Sequence, residues 1–334
     1  MLCGSSLEFP KILGLIVVLV SACGASVQAQ ENSLGEGLVI SRVGKYGRSA
    51  VHVDPIEAQI VAGTWSAPSA GDQVTHPDGT SKAWEVLSPG EDGGYQHEAL
   101  RSGYAFFSVE SSSERVMLLE ASGHSMVYVN GIPRIGDPYQ TGWVRLPVLL
   151  RTGANTFLFF GRRSQLKAKL VLPAAAVLLN TSEVTLPDLI TGREEITWGS
   201  VLVIRASTEP FTMLYLLITL EERSAIFPLP ELPPLTQRKV AFPIEAPAYR
   251  GRESCTLQIK LLGKKNNQLK NLDEAKLSLR VRDPGELHKR TFQSDIDGSI
   301  QYYSILPAKP VKDDSSSPAL FLTLHGAGVE ASRQ

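Results

Sequence analysis

The residue types with the most chemistry in the least chain lie close to the C-terminus. His325-Gly326-Ala327-Gly328 follows directly on the apolar run at 319–324, Ala-Leu-Phe-Leu-Thr-Leu. A run of this length without a charged residue predicts a short strand buried on both faces. A glycine-rich corner after such a strand lets backbone N–H groups approach a developing negative oxygen without a Cβ in the way. That is the chemistry of acyl transfer. It needs a nucleophile, a base and an acid from elsewhere. The chain contains no Gly-x-Ser-x-Gly. No catalytic residue is therefore assigned within it. Gly123-His124-Ser125-Met126-Val127 imitates half of such an elbow, but Val127 replaces its last glycine and the segment leads into a hairpin strand, not a helix.

Other reactive sets are absent. Neither a Gly-x-x-x-x-Gly-Lys-Ser/Thr nor a Gly-x-Gly-x-x-Gly phosphate loop occurs, and no cofactor is expected. His52, His76, His97, His124, His288 and His325 are scattered without metal-ligand spacing, so no metal site is expected. Asp72, Asp78 and Asp92 stand in Gly-rich loops, where solvation accounts for them better than calcium. Cys3 and Cys23 fall in the leader, leaving Cys255 alone, with no partner for a disulfide. It sits in an alternating segment, Cys-Thr-Leu-Gln-Ile-Lys, and reads as a buried strand residue, with a reactive thiol as the alternative.

The elements that must position any site are strands. At 334 residues the chain is long enough for two or three domains, and its net charge of -1 gives no field for nucleic acid. Residues 1–29 read as a signal peptide: Lys11 precedes an apolar run at 12–20 too short to span a bilayer, and Val27-Gln28-Ala29 fits a cleavage site. Val20-Ser21-Ala22-Cys23 offers a second reading, lipidation of Cys23. Secretion or a periplasmic location follows, or a lipid anchor at Cys23. No membrane attachment is expected beyond these.

Residues 31–172 predict one β-sandwich, from short β-rich runs at 104–110, 115–121, 125–129, 143–150, 156–160 and 166–171. Asn130-Gly131 predicts a type I′ hairpin turn. Val127-Tyr128-Val129-Asn130-Gly131, with Leu146-Pro147 and Gly153-Ala154-Asn155-Thr156, resembles the jelly-roll modules attached to many glycoside hydrolases. Trp65, Trp84, Tyr139 and Trp143 are the aromatics that could stack on a sugar ring, core or loop packing being their ordinary job. The loop at 134–139 could equally pack against a catalytic domain that would follow this chain.

Residues 173–284 predict a second, immunoglobulin-like sandwich from seven strand candidates at 175–179, 182–186, 200–206, 213–220, 239–244, 256–262 and 276–281. Between residues 250 and 290, eleven Lys/Arg face five acids. Solvated strand faces explain this excess, and an anionic partner is the alternative. Asp283-Pro284-Gly285 marks a boundary. After it, residues 288–334 predict a hairpin, a polar linker at 309–318 and the apolar strand. That strand suits a buried place in a full sheet but, with most of that sheet missing, is expected to be loosely packed or disordered in this chain.

The segment Ser294-Asp295-Ile296-Asp297-Gly298-Ser299-Ile300-Gln301-Tyr302-Tyr303, with the strand and His325-Gly326-Ala327-Gly328-Val329-Glu330-Ala331, resembles the opening of secreted bacterial hydrolases of the prolyl oligopeptidase-like superfamily. The resemblance implies a serine peptidase or esterase of α/β-hydrolase fold. It assigns the oxyanion-hole N–H to Gly326 or Ala327, with His325 and Gly328 shaping the loop, and places the triad after residue 334. On this reading the chain is the catalytically incomplete front of a larger hydrolase acting on a peptide, ester or glycan. The fold expected is mainly β: a jelly-roll-like sandwich, an immunoglobulin-like sandwich, then the first strands of a truncated α/β-hydrolase domain. The reading from another class is a non-catalytic secreted β-sandwich protein that binds carbohydrate or protein.

Overall fold

The computed structural model describes residues 31–45, 53–209, 213–265, 268–308 and 319–324. Their regular structure is almost all β-strand, with one α-helix, Pro55–Ala62, and one 3-10 turn, Glu98–Leu100. No helix among them is long and apolar enough to cross a membrane.

Two sheets face one another in the first half of the chain. One orders its strands Glu31–Ser33, Gln165–Val171, Arg115–Ser122 and Arg145–Leu150, with Tyr95–Gln96 also paired to Gln165–Val171. The other runs Ile132–Ile135, His124–Val129, Gly153–Gly161, Tyr104–Ser111, Gly37–Ile40 and Glu85–Leu87. Met117, Leu119, Phe107, Phe157 and Phe159 are among the side chains that fill the space between them. The Asn130-Gly131 turn has φ of 50° and 79°, as a type I′ hairpin requires, and it joins two strands paired from Val129↔Ile132 outward.

The six-stranded sheet is apolar on its outer face as well. Tyr104, Phe106, Tyr128 and Leu158 pack there against Ile56 and Trp84. This explains the unbroken runs Tyr104-Ala105-Phe106-Phe107 and Phe157-Leu158-Phe159-Phe160, which do not alternate because both faces are covered. The cover is the helix. Asp54 caps it by accepting from the N–H groups of Ile56 and Glu57, and also accepts from the Tyr104 hydroxyl at 2.9 Å.

The second sandwich packs a three-stranded sheet, Val177–Thr185, Glu195–Arg205 and Gln237–Ala246, on a five-stranded one. The latter orders Leu189–Ile190, Gln268–Arg282, Ser254–Lys265, Leu214–Leu220 and Arg223–Pro228, the first pair being parallel. Val201, Leu216, Phe242, Leu257 and Ile259 lie in its core. Several cations of the basic stretch at 250–290 are paired: Arg252 with Glu221, Lys260 with Glu274, Arg280 with Asp188 and Arg290 with Glu195.

The last two strands, His288–Gln293 and Ile300–Ile305, form an antiparallel hairpin. It is fastened to the second sandwich. Arg290 donates to both carboxylate oxygens of Glu195 at 2.6 and 2.7 Å. The Lys289 N–H donates to Asp188, which also accepts two bonds from Arg280. Thr291 donates to the Trp198 carbonyl.

Here the structure corrects the expectation of a parallel α/β-hydrolase sheet. Residues 319–324 carry no strand, and Leu320, Phe321, Leu322 and Leu324 are 85–93% exposed. An apolar run has strand propensity, but a strand exists only where a neighbour completes its hydrogen bonds. The corner at His325, Gly326, Ala327 and Gly328 lies outside the described residues, as do residues 1–29, Cys23 and the linker at 309–318.

Candidate functional site

One strand explains where the surface of the first sandwich is free. Arg115–Ser122 sends Met117, Leu119 and Ala121 inward. Its outward residues divide: Val116 and Leu118 pack on Leu178, Ile204 and Ala206 of the second sandwich, whereas Glu120 and Ser122 are polar, half-buried and line a groove. The neighbouring strand Gln165–Val171 likewise buries Leu166, Ala168 and Leu170 and turns Lys167 and Lys169 outward. A groove of about 540 Å³ results, lined by Ser33, Asp92, Glu120, Ser122, Lys167 and Lys169, among others.

Its charged groups are held by one another. Glu120 accepts from Arg145 at 2.8 Å and faces Lys169 at 3.6 Å. Lys167 lies 3.3 Å from Asp92. The Gly94 N–H, and then Lys167, hold the Asp92 carboxyl below the usual carboxylate range. Such a surface offers alternating anionic acceptors and cationic donors at fixed places, which suits a ligand dense in hydroxyl groups.

The loop that edges this groove carries two of the aromatics singled out from the sequence. Gly142 lines the groove; Trp143, next to it in the chain, is 42% exposed, and Tyr139, three residues earlier in the same loop, is 53% exposed. Buried Asp137 fixes the loop by accepting from the Thr141 N–H, the Thr141 hydroxyl and the Gly142 N–H at 2.7–3.0 Å. Buried Asn180 of the second sandwich donates to the Trp143 carbonyl at 2.8 Å. Arg134, before the loop, donates to the Leu235 carbonyl of the second sandwich.

The other two aromatics lie elsewhere. Trp84 is 3% exposed within the outer core of the six-stranded sheet, where no ligand reaches its ring. Trp65 is half-buried, edge-on to Phe106, in a small apolar cleft with Ile60, Tyr128 and Leu158. Asp137 and Asn180 went unnoticed in the sequence. The pattern Asp137-Pro138 with Thr141-Gly142 four residues on was a signal for the first, since a buried loop aspartate can collect the N–H groups that follow it. Asn180 had none.

His124 and Ser125 form no catalytic pair. His124 is fully buried, edge-on to Phe159, and neither ring nitrogen has a partner. Burial lowers its pKa to about 4, against a smaller opposing effect of the Asp137 charge. Ser125 faces the Phe160 carbonyl at 3.4 Å. Cys255 is buried, and burial raises its pKa. No group of three or more metal-ligating side chains occurs among the described residues.

No family model and no curated protein sequence matches the chain. The solved structures it compares with include a family 2 β-galacturonidase from Eisenbergiella tayi, 14% identical, covering 82% of this chain and 45% of that one, with a TM-score of 0.32. A β-glucuronidase from Bacteroides uniformis is 13% identical, covering 78% and 34% respectively at a TM-score of 0.34. One from Parabacteroides merdae is 10% identical, covering 82% and 38% at a TM-score of 0.33. The chain spans about a third to under half of these structures. A likeness this distant carries no argument about activity. The resemblance to prolyl oligopeptidase-like hydrolases is corrected by the fold itself: the described residues form a nearly all-β molecule with no parallel α/β sheet among them.

Proposed function

We propose that this chain is a glycan-binding β-sandwich protein that works by recognition, not by bond cleavage. The observation that carries the proposal is the half-covered sheet. The apolar outward residues of Arg115–Ser122 are used up in docking the second sandwich. The polar ones remain as a groove edged by a rigid loop bearing Tyr139 and Trp143. Polar side chains fixed by their own ion pairs would meet hydroxyl groups, while an aromatic face would take the apolar face of a sugar ring. We read the first sandwich as jelly-roll-like. The second we read as immunoglobulin-like, from its three-on-five strand order with a short parallel switch strand. Export, by cleavage after Ala29 or with a lipid on Cys23, belongs to the same proposal.

The test is retention of the full chain in gels cast with neutral polysaccharides, comparing wild type with Trp143→Ala and Glu120→Gln. Each substitution is expected to weaken retention by roughly tenfold, the effect of one stacked ring or one charged hydrogen bond. The absence of saturable binding to any glycan, or retention indifferent to both substitutions, would overturn the proposal.

A further inference from the structure

Beyond the loop at 136–142 lies a second cleft, of about 410 Å³, lined by Arg101, Gln140, Arg162, Arg163, Ser164 and Gln165. Three of the six are arginines and none is acidic. Among the described residues, Arg162 and Arg163 have neither an ion pair nor a side-chain hydrogen bond, while Arg101 has only a loose, exposed contact with Glu98 at 3.8 Å. This is unlike the groove beside it, where Lys167 and Lys169 already face carboxylates.

The backbone under these arginines is clamped. The His97 N–H donates to the Ser164 carbonyl at 2.9 Å, tying the turn before Arg101 to the segment after Arg163. A Cβ on Gly161 would lie 2.0 Å from the Leu100 carbonyl, so these two segments meet at a contact only glycine permits. Gly123 has φ +90°, and a Cβ there would lie 2.2 Å from the Gln165 carbonyl and 3.2 Å from the Gln140 side-chain nitrogen. Gln140 itself has φ +58°, an uncommon conformation for a non-glycine residue, in the loop that Asp137 holds.

Planar guanidinium groups without carboxylate partners, on a fixed backbone, are suited to forked hydrogen bonding of an oxyanion. Gln165 and Lys167 project from the same face of one strand, which joins this cleft to the groove. We infer that the arginine cleft binds the carboxylate or sulfate group of an anionic polysaccharide whose neighbouring sugars lie in the groove. The inference rests on the glycan-binding reading and adds charge to the ligand.

The experiment measures retention of the full chain by a polyuronate, by a sulfated polysaccharide and by neutral glycans, across a series of salt concentrations. Arg162→Ala/Arg163→Ala is expected to cost roughly tenfold or more on the anionic polymers and to flatten their salt dependence. Arg162→Lys/Arg163→Lys keeps the charge but loses the fork, so it should recover only part of the affinity. Arg223→Ala, in the second sandwich, should change nothing. Whichever polymer responds to the arginines names the oxyanion. Anionic polymers that are not retained, or are retained equally by the alanine variant, would overturn the inference. If they respond to the arginines while neutral glycans never bind and Trp143→Ala has no effect, the cleft stands and the glycan groove falls. If Trp143→Ala abolishes neutral binding while the arginine variants behave as wild type, the groove stands and the cleft falls.

Discussion

Acid should weaken this protein through one imidazole. His124 is enclosed, packed edge-on to Phe159, and its ring nitrogens have no partner. Burial holds its pKa at about 4, against about 6.5 in an unfolded chain. The unfolded state therefore binds the proton first, and stability falls as pH drops below about 6.5 until the folded state also protonates near 4. Between pH 7 and pH 5 the window spans about 1.5 pH units, a loss of about 2 kcal/mol from this residue alone. His124→Phe should remove that loss and relieve the two unpartnered nitrogens at neutral pH, a gain of about 1 kcal/mol or more. Urea unfolding of wild type and variant at pH 7 and pH 5 isolates the effect, because carboxylates elsewhere contribute equally to both. The variant should lose about 2 kcal/mol less than wild type over this interval. If both lose the same amount, the ring is not held neutral by burial, and the reasoning fails.

Asp137→Ala leaves two N–H groups and a hydroxyl without their acceptor, and should cost about 2–3 kcal/mol in urea unfolding and free the loop bearing Tyr139 and Trp143, read as loss of glycan retention. Asp188→Ala should cost about 3–5 kcal/mol, since Arg280 and the Lys289 N–H both rely on a carboxylate buried at the foot of the hairpin. Limited proteolysis should then cut first within 288–305. Gly37→Ala places a Cβ 2.5 Å from the Phe107 ring, and should destabilise the first sandwich by about 1–3 kcal/mol in a thermal melt. Cys255 should react with a thiol reagent only at the rate of unfolding, because it is buried and burial disfavours its thiolate.

Much of the strand framework could be read from residue order, because it depends on local rules. Alternation in 115–121 and 166–171 fixed which residues face inward, and Asn130-Gly131 fixed a turn, since its two positive φ angles suit few other pairs. What went unread depends on partners distant in the chain. Pro55–Ala62 has too little amphipathic pattern to announce a helix, although Asp54-Pro55 and Gly63 are sound end signals. Runs at 175–179 and 182–186 read as two strands but are one, Val177–Thr185, whose register breaks after Asn180. Asn180 is the residue that reaches the Trp143 carbonyl. The run at 319–324 has the composition of a buried strand, but no strand among the described residues pairs with it, and its exposure is what the lack of a surrounding sheet led one to expect.

The site follows the same division. Spacing searches look for residues near one another in sequence, and they found a glycine corner and a false elbow. A binding face on a β-sandwich has no such spacing, because its side chains come from alternate positions on separate strands. Glu120, Lys167 and Asp92 are joined only by pairing of Arg115–Ser122 with Gln165–Val171 and by the turn that brings Asp92 to Lys167. The readable signal was a change within one strand: outward Val116 and Leu118 are apolar, outward Glu120 and Ser122 are polar. A sheet face exposed along its length would be polar along its length, and one wholly buried would be apolar. A face that switches midway must be covered over one part and open over the other. The second sandwich supplies the cover, and its edge therefore sets where the open groove begins.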